Sequence, residues 1–236
     1  MRNLSKSFGK VKAVIDFNLD VGNGEAVGLV GPNGAGKTTA LRCMCGVIRP
    51  DSGRTMIGGH DLYNNPVEAK RALAYVPEIP YPFPGLTIWE HLTFMARAFS
   101  IEGWEPMAEQ LIDEFDLTEK RDEICATLSK GMKQKVMLMS AFIHNPSVLI
   151  MDEPLYGIDP KGGYVLKRLL KDRLSKGASV VISSHTLSLI EAVCSGVAVM
   201  NKGRIIAVGD FDELRTKAEE GQDATFEEVF VKITEG

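Results

Sequence analysis

The chain has 236 residues, a length that suits one large α/β domain or a domain that carries an inserted sub-domain. Apolar residues make up 44% and charged residues 25% of the chain, and these values exclude a disordered or fibrous protein. The net charge of −4 excludes a protein that works mainly by neutralising nucleic-acid phosphates, so we expect no nucleic-acid partner. No apolar run approaches the ~18–20 residues that span a bilayer.

Apolar patterning predicts strands that alternate with helices, which is typical of an α/β fold with a mostly parallel sheet. The segment 12–21 alternates, which predicts an antiparallel strand and an antiparallel β sub-domain. The remaining strands are predicted at 25–31, 54–58, 72–76, 147–151 and 178–183, with two short ones in 196–208. Helices are predicted at 37–47, 130–144, 165–174, 187–194, 210–219 and 226–233, and the region 87–126 is predicted to be helical, with the run TIWEHLTFMARAF followed by the run EPMAEQLIDEF.

A proline cluster interrupts this alternation at positions 77, 80, 82 and 84. Proline is excluded from helix interiors and central strands, so the cluster predicts a loop. The long helical stretch behind it predicts an inserted helical sub-domain. We therefore expect one domain over 1–236, with a core at 1–77 and 146–236 and a helical sub-domain at about 78–145.

Residues 31–39 read GPNGAGKTT and follow a predicted strand that leads into a predicted helix. This is the pattern of a phosphate-binding loop, in which glycines let backbone N–H groups surround phosphate oxygens and the helix N-terminus favours an anion. A lysine at this position reaches the outer phosphates, and the hydroxyl that follows it can hold Mg²⁺. The residues predicted to bind ATP are Asn33, Gly34, Ala35, Gly36, Lys37, Thr38 and Thr39, and Thr38 is also a candidate metal ligand.

Two carboxylates, Asp152 and Glu153, end the apolar strand VLIM at 148–151. Ligands bind at the carboxyl ends of strands in parallel sheets. Successive strand residues point to opposite faces, so the two side chains can have different roles. We expect Asp152 to hold Mg²⁺ and Glu153 to act as the general base towards water.

With these motifs in this order, the chain resembles the nucleotide-binding subunits of ATP-binding cassette (ABC) transporters over nearly its whole length. Further matching positions are Phe8, the signature segment LSKGM at 128–132, the loop GIDP at 157–160 and His185. The resemblance implies that the P-loop NTPase fold is present, that Phe8 stacks on adenine and that His185 takes part in catalysis. It also implies an ATPase that uses ATP and Mg²⁺.

The resemblance further implies a head-to-tail dimer, either a homodimer or a heterodimer with a related ATPase subunit. In such a dimer, Ser129 and Gly131 of one copy face the ATP held by the phosphate loop of the other. The residues give this a physical basis. Ser129 is a good N-cap for the predicted helix at 130–144, so the positive end of that helix can face a phosphate.

The chain departs from the family pattern at several positions. Lys130 and Met132 replace the glycine and glutamine of the commonest signature, and we expect Lys130 to point into solvent. Glu78 stands where the family usually has glutamine; its carboxylate can still accept a metal-bound water, so it is a candidate at the metal site. The chain starts close to the segment RNLSKSF, so we expect the first edge strand of the family to be short or missing.

A transporter built from this chain requires a separate integral membrane subunit, which would hold it on the inner face of the cell membrane, in the cytoplasm. The loop at 79–85, with Tyr81 and Phe83, is the candidate docking surface; alternatively these rings fold back onto the helical insertion. The final segment, FEEVFVKITEG, resembles exporter-type subunits. The alternative function is a soluble ABC-type ATPase that remodels a cytosolic partner, as in iron–sulfur assembly or DNA repair. A nucleotide-binding regulator without turnover is disfavoured by Glu153.

Overall fold

The computed structural model of the chain describes residues 1–218 and 224–235. The strands are β1 (Arg2–Phe8), β2 (Val11–Phe17), β3 (Ala26–Val30), β4 (Ser52–Arg54), β5 (Met56–Ile57), β6 (His60–Asp61), β7 (Leu73–Val76), β8 (Val148–Asp152), β9 (Ser179–Ser183), β10 (Gly196–Asn201) and β11 (Arg204–Gly209). The helices are α1 (Lys37–Met44), α2 (Pro66–Arg71), α3 (Ile88–Ala98), α4 (Glu105–Glu114), α5 (Lys130–Ile143), α6 (Pro160–Ser175), α7 (Leu187–Val193), α8 (Phe211–Lys217) and α9 (Phe226–Glu235).

The central sheet has six strands in the order β11-β10-β3-β9-β8-β7. Every neighbouring pair is parallel except β10 with β11, so the expected mostly parallel sheet is confirmed. Strands β3 and β9 are buried along their whole length, as is usual where helices cover both faces of a parallel sheet. Their carboxyl ends, together with that of β8, lie at one edge of the sheet.

A second sheet is antiparallel, in the order β2-β1-β4. Leu4 of β1 pairs with Phe17 of β2, and both side chains are fully buried. This confirms the antiparallel β sub-domain. The expectation that the first strand is missing is wrong: β1 is the central strand of this sheet, because the few residues before Phe8 are enough to pair with β2 on one side and β4 on the other.

The helical insertion contains α3, α4 and α5. Within the helical region predicted at 87–126, the two runs named from the sequence form α3 and α4, and the rest contains two short 3₁₀ segments. The chain breaks between α3 and α4 because Ser100 and Gly103 adopt positive φ angles of 57° and 61°. Thr87 and Glu90 form a capping box that starts α3.

The outer segments differ from the sequence predictions in small ways. The short helix α2 was not predicted, because six residues are too few for a periodic apolar pattern. The helix predicted at 210–219 is α8, and position 219 lies outside the described residues. None of the described helices combines the length with the apolar composition that crossing a membrane requires.

Candidate active site

The phosphate loop connects the end of β3 to the start of α1. Gly36 has a φ of 104°, which a residue with a side chain rarely adopts. A Cβ at Gly36 would lie 2.1 Å from the carbonyl oxygen of Ala13, and one at Gly31 would lie 2.2 Å from the carbonyl oxygen of Met200. These two glycines are therefore required because the loop approaches neighbouring backbone closely.

Lys37, the first residue of α1, turns its buried side chain back along the phosphate loop. Its Nζ donates hydrogen bonds to the carbonyl oxygens of Gly31 at 2.6 Å and Pro32 at 3.2 Å. Burial lowers the pKa of this ammonium, while the nearby charges of Glu153, Asp152 and Glu78 act in the opposite direction. Lys37 is thus a partly desolvated cation that faces three carboxyl groups.

Asp152 is the last residue of β8, and its side chain is only 1% exposed. The hydroxyl of Ser183, at the end of the neighbouring strand β9, donates to Oδ1 of Asp152. Oδ2 is buried and has no hydrogen-bond partner. A buried carboxylate oxygen without a partner is unfavourable unless a donor or a cation meets it, so this atom fits a metal ion at the carboxyl end of β8.

The whole donor set is consistent with Mg²⁺ bound together with phosphates. Within 1–218 and 224–235, no three His, Cys, Asp or Glu side chains are grouped so as to hold a metal ion by themselves. Mg²⁺ typically takes one or two carboxylates, water and substrate phosphates rather than a protein cage. The Thr38 hydroxyl and the carboxylates of Asp152 and Glu78 line one cavity.

Glu153 adopts a left-handed backbone conformation with a φ of 47°. For a residue other than glycine this costs about 1–3 kcal/mol, and such strain is common at functional sites. Its N–H donates to the carbonyl oxygen of Ser183 at 3.0 Å. The hydrogen bond to Ser183 therefore helps to hold the backbone of Glu153 in this conformation.

The Glu153 carboxylate contacts His185 at two points. Oε2 accepts from the N–H of His185 at 3.1 Å, and Oε1 lies 3.3 Å from Nε2 of the same residue. Burial raises the pKa of Glu153, against the lowering effects of His185 and Lys37. A carboxyl group with a raised pKa is better suited than a solvated one to accept a proton.

A cavity of about 410 Å³ brings together most of the residues predicted from sequence. The predicted residues that line it are Asn33, Gly34, Ala35, Gly36, Lys37, Thr38, Thr39, Glu78, Asp152, Glu153 and His185. Sequence reasoning missed Lys12 and Lys202, which also line this cavity together with Val11, Ala13 and Gly203. No motif identifies these residues, because they come from β2 and from the turn between β10 and β11.

Three predicted residues, Phe8, Ser129 and Gly131, do not line this cavity. Phe8 ends β1, and its ring is 51% exposed, with Lys6 Nζ 5.5 Å from its centroid. Its pairing partner across the antiparallel sheet is Val11, which lines the cavity. Phe8 therefore lies next to the cavity, beside a residue that lines it.

The signature segment forms the start of α5. Ser129 is the N-cap, and its Oγ accepts from the N–H of Met132 at 3.3 Å, as predicted. A Cβ at Gly131 would lie 2.2 Å from the carbonyl oxygen of Gly157. Gly131 is thus needed for close packing between α5 and the loop that follows Glu153.

Two lysines of α5 also contact this loop. Lys130 is exposed, as expected, and its Nζ lies 3.7 Å from the centroid of the Tyr156 ring. Lys135 is buried; it donates to the carbonyl oxygen of Phe115 at 2.9 Å and pairs with Asp159. This ammonium holds the pKa of Asp159 below its usual range.

In the proline loop at 79–85, the two aromatic rings differ: one is exposed and the other packs against the helical insertion. Tyr81 is 79% exposed, so it does not fold back onto the helical insertion. Phe83 packs edge-on against Phe94, with ring centroids 4.8 Å apart, and its N–H donates to Nδ1 of His91 at 3.4 Å. The loop therefore presents Tyr81 outward while Phe83 attaches it to α3.

Comparison with known proteins places these features in a family. The ABC transporter family model matches residues 14–156, more than half of the chain. The lipopolysaccharide export system ATP-binding protein LptB of Haemophilus influenzae is 34% identical over 212 residues, which cover 88% of this chain and 88% of that protein.

Solved structures agree with this assignment. The structure of an ATP-binding subunit of an ABC transporter superposes with a TM-score of 0.93 at 33% identity, covering 98% of this chain and 97% of that one. A dimeric ATP-binding cassette in a post-hydrolysis state, bound to ADP and Pi, shares the fold with a TM-score of 0.78 at 23% identity, over 89% of this chain and 97% of that one. The chain belongs to the ABC transporter family, and it is an ATP-binding subunit of that family that hydrolyses ATP.

Proposed function

We propose that two copies of this chain, or one copy and a related ATPase subunit, close head to tail over two ATP molecules. The observation that carries this proposal is the division of the site residues. The phosphate loop, Asp152, Glu153 and His185 share one cavity, whereas Ser129 and Gly131 lie outside it at the start of α5. A second protomer can supply that helix N-terminus, whose free N–H groups and dipole favour a phosphate.

The cavity residues then divide between binding and chemistry. Lys37 and the backbone of the loop from Asn33 to Thr39 hold the phosphates, and Phe8 stacks on the adenine at the edge of the cavity. Thr38 and Asp152, with Glu78, would hold Mg²⁺, which when bound neutralises charge on the phosphate oxygens. Glu153 accepts the proton of the attacking water, and His185 positions this carboxylate through its contacts with both oxygens.

The same proposal divides the chain into functional parts. The segments 1–77 and 146–236 form the nucleotide-binding core, and about 78–145 forms the helical sub-domain with the signature segment. The chain leaves the core at the proline loop after β7, and it re-enters the core after α5, where β8 begins.

The partner is an integral membrane subunit encoded separately, with the ATPase on the cytoplasmic face of the membrane. The docking surface is the proline loop, where the exposed Tyr81 ring suits a groove that receives a helix. The named relative belongs to an export system, which supports export as the direction of transport. The membrane partner is favoured over a soluble scaffold, because the matched family is that of transporters.

Substitution of the proposed base tests the chemistry. We expect Glu153→Gln to reduce ATP turnover by ~10²–10⁴ and to leave ATP affinity within about twofold, because a general base acts on the reaction and not on binding. The variant should also accumulate as a dimer in ATP, as measured by light scattering. Glu191→Gln, on the exposed face of α7, is the matched control. Hydrolysis by Glu153→Gln at the parent rate removes Glu153 from this role.

Substitution at the signature helix tests the dimer. Ser129→Arg should retain ATP binding by the isolated chain but abolish hydrolysis, since a long cation would block the approach of a second nucleotide site. Ser129→Thr retains both the hydroxyl and the cap and should remain active. Equal hydrolysis by Ser129→Arg and the parent would show that α5 does not complete the site.

Substitution in the proline loop tests the partner. Tyr81→Ser should weaken co-purification of a multi-span membrane chain from detergent extracts, whereas Tyr164→Ser, at a ring 70% exposed on α6, should not. ATP hydrolysis by the isolated chain should be equal in both variants. Recovery of a soluble scaffold in place of a membrane chain would favour the remodelling ATPase.

A further inference from the structure

The first turns of α5 run beside the loop that follows Glu153 and contact it repeatedly. The contacts are Lys130 over the ring of Tyr156, Gly131 against the carbonyl of Gly157, Gln134 Nε2 donating to the carbonyl oxygen of Pro154 at 3.4 Å, and Lys135 with Asp159. Because close-packed segments transmit displacement, a shift of the start of α5 would displace this loop.

Tyr156 belongs to the turn that carries Glu153. Its N–H donates to the carbonyl oxygen of Glu153 at 3.0 Å, which closes the turn. The left-handed conformation of Glu153 persists only because its surroundings hold it. Two backbone hydrogen bonds support it: the N–H of Glu153 donates to the carbonyl oxygen of Ser183, and the carbonyl oxygen of Glu153 accepts from the N–H of Tyr156.

The Tyr156 ring is held by a charge as well as by packing. It is 54% exposed, and the ammonium of Lys130 lies 3.7 Å from its centroid. An aromatic face attracts a cation at this distance, so Lys130 restrains the ring from the α5 side. Neither side chain lines the cavity that holds Lys37, Asp152 and Glu153, so within the protomer they act on the site indirectly.

We propose that Lys130 and Tyr156 form a positioning pair that sets the direction of the Glu153 carboxylate from α5. The pair does not touch the reacting atoms of its own site; it acts through the turn between Glu153 and Tyr156. This inference rests on the proposed function, in which Glu153 is the general base. Lys130 lies on the helix that faces the second nucleotide, so the pair links that helix to the general base, Glu153, of the same protomer.

The test uses the full chain and a double-mutant cycle. Lys130→Met removes the charge and keeps most of the stem, and Tyr156→Leu removes the ring face. We expect each to lower kcat for ATP about three- to tenfold, because small misplacement of a catalytic group is costly, while KM stays within twofold. The double variant should fall no further than either single one, since both remove the same contact.

Conservative and remote variants complete the experiment. Lys130→Arg and Tyr156→Phe preserve a cation over a ring, so each of these variants should retain most of the parent kcat. Lys171→Met and Tyr164→Leu, at exposed positions on α6, control for the loss of any surface lysine or tyrosine. Equal thermal midpoints across the set would exclude unfolding as the cause of lower kcat.

Three outcomes overturn the inference: kcat at the parent value in both single variants, additive losses in the double variant, or a loss that appears in KM. The last two would mean that Lys130 acts on the partner's nucleotide rather than on Tyr156. Failure of the proposed function is distinct, since it requires Glu153→Gln to hydrolyse ATP at the parent rate. Loss of activity in Glu153→Gln together with parent kcat in the pair variants rejects the positioning pair alone.

Discussion

The α-carbon of Gly131, on the first turn of α5, faces the carbonyl oxygen of Gly157 so closely that a Cβ would lie 2.2 Å from that oxygen. No rotamer change can relieve this contact, because both partners are backbone. The signature helix and the loop after Glu153 are therefore packed so closely that only glycine fits at position 131 without a shift of the backbone.

Gly131→Ala should separate these two segments. We expect destabilisation by about 1–3 kcal/mol, which exceeds the gain of about 0.5–1 kcal/mol that alanine normally brings to a helix. Urea unfolding measures this change, and ATP hydrolysis should fall with it.

Gly163→Ala on α6 is the matched control, because its Cβ would meet only Leu155 Cδ2 at an ordinary 3.5 Å. This variant should be stabilised by about 0.5–1 kcal/mol. A Gly131→Ala protein as stable as the parent would contradict the close packing of α5 on Gly157.

Asp152→Asn should disrupt metal-dependent nucleotide binding. The amide replaces the buried Oδ2, which lacks a hydrogen-bond partner, or the Oδ1 that accepts from Ser183, and it removes the charge in either orientation. We expect the improvement in ATP affinity on addition of Mg²⁺ to be lost, while affinity in EDTA stays within about twofold. Titration with and without Mg²⁺ measures both. Asp172→Asn, on the exposed part of α6, should retain the parent's Mg²⁺ response.

Glu153→Gln should stabilise the nucleotide-free protein near neutral pH. Burial raises the pKa of Glu153 in the folded state, so folding at pH 7 carries the cost of a buried charge. As the pH falls through that raised pKa, the folded protein takes up the proton, the cost disappears, and the parent approaches the variant in stability. We therefore expect the variant to have a higher Tm than the parent at pH 7.

The pH dependence distinguishes this cause from a general effect of glutamine. The difference in Tm between Glu153→Gln and the parent should narrow steadily from pH 7 towards pH 4.5. Glu191→Gln should show no such trend. A constant difference across this range would mean that the charge of Glu153 is not the source of the gain.

Lys12→Met and Lys202→Met should weaken ATP binding, because each removes a positive charge that attracts ATP at long range. Both side chains line the nucleotide cavity, but both are exposed, so solvent screens their charges. We expect each to raise the dissociation constant for ATP about two- to fivefold at low salt and less at 0.5 M salt. Binding isotherms at both ionic strengths test this, with Lys171→Met as the control. An effect that does not change with salt would indicate direct contact with ATP.

The sequence by itself determined the features that depend on a few neighbouring residues. The phosphate loop between β3 and α1, the two carboxylates at the end of β8 and the Ser129 cap of α5 each follow from a local pattern. Turn, cap and strand-end geometry are governed by the residues of the segment itself. For the same reason the mostly parallel sheet and the helical insertion could be predicted, whereas the pairing of β1 could not.

Only the tertiary structure placed Lys12 and Lys202 in the nucleotide cavity, Lys130 over Tyr156 and Gly131 against Gly157. Each pair or group joins segments far apart in the chain, and their distance depends on how α5, the sheets and the intervening loops pack. Packing also left Asp152 Oδ2 buried without a hydrogen bond, since Ser183 comes from a different strand and reaches only the other oxygen. Local residue preferences contain no information on such contacts, because their energies arise only when the core has closed.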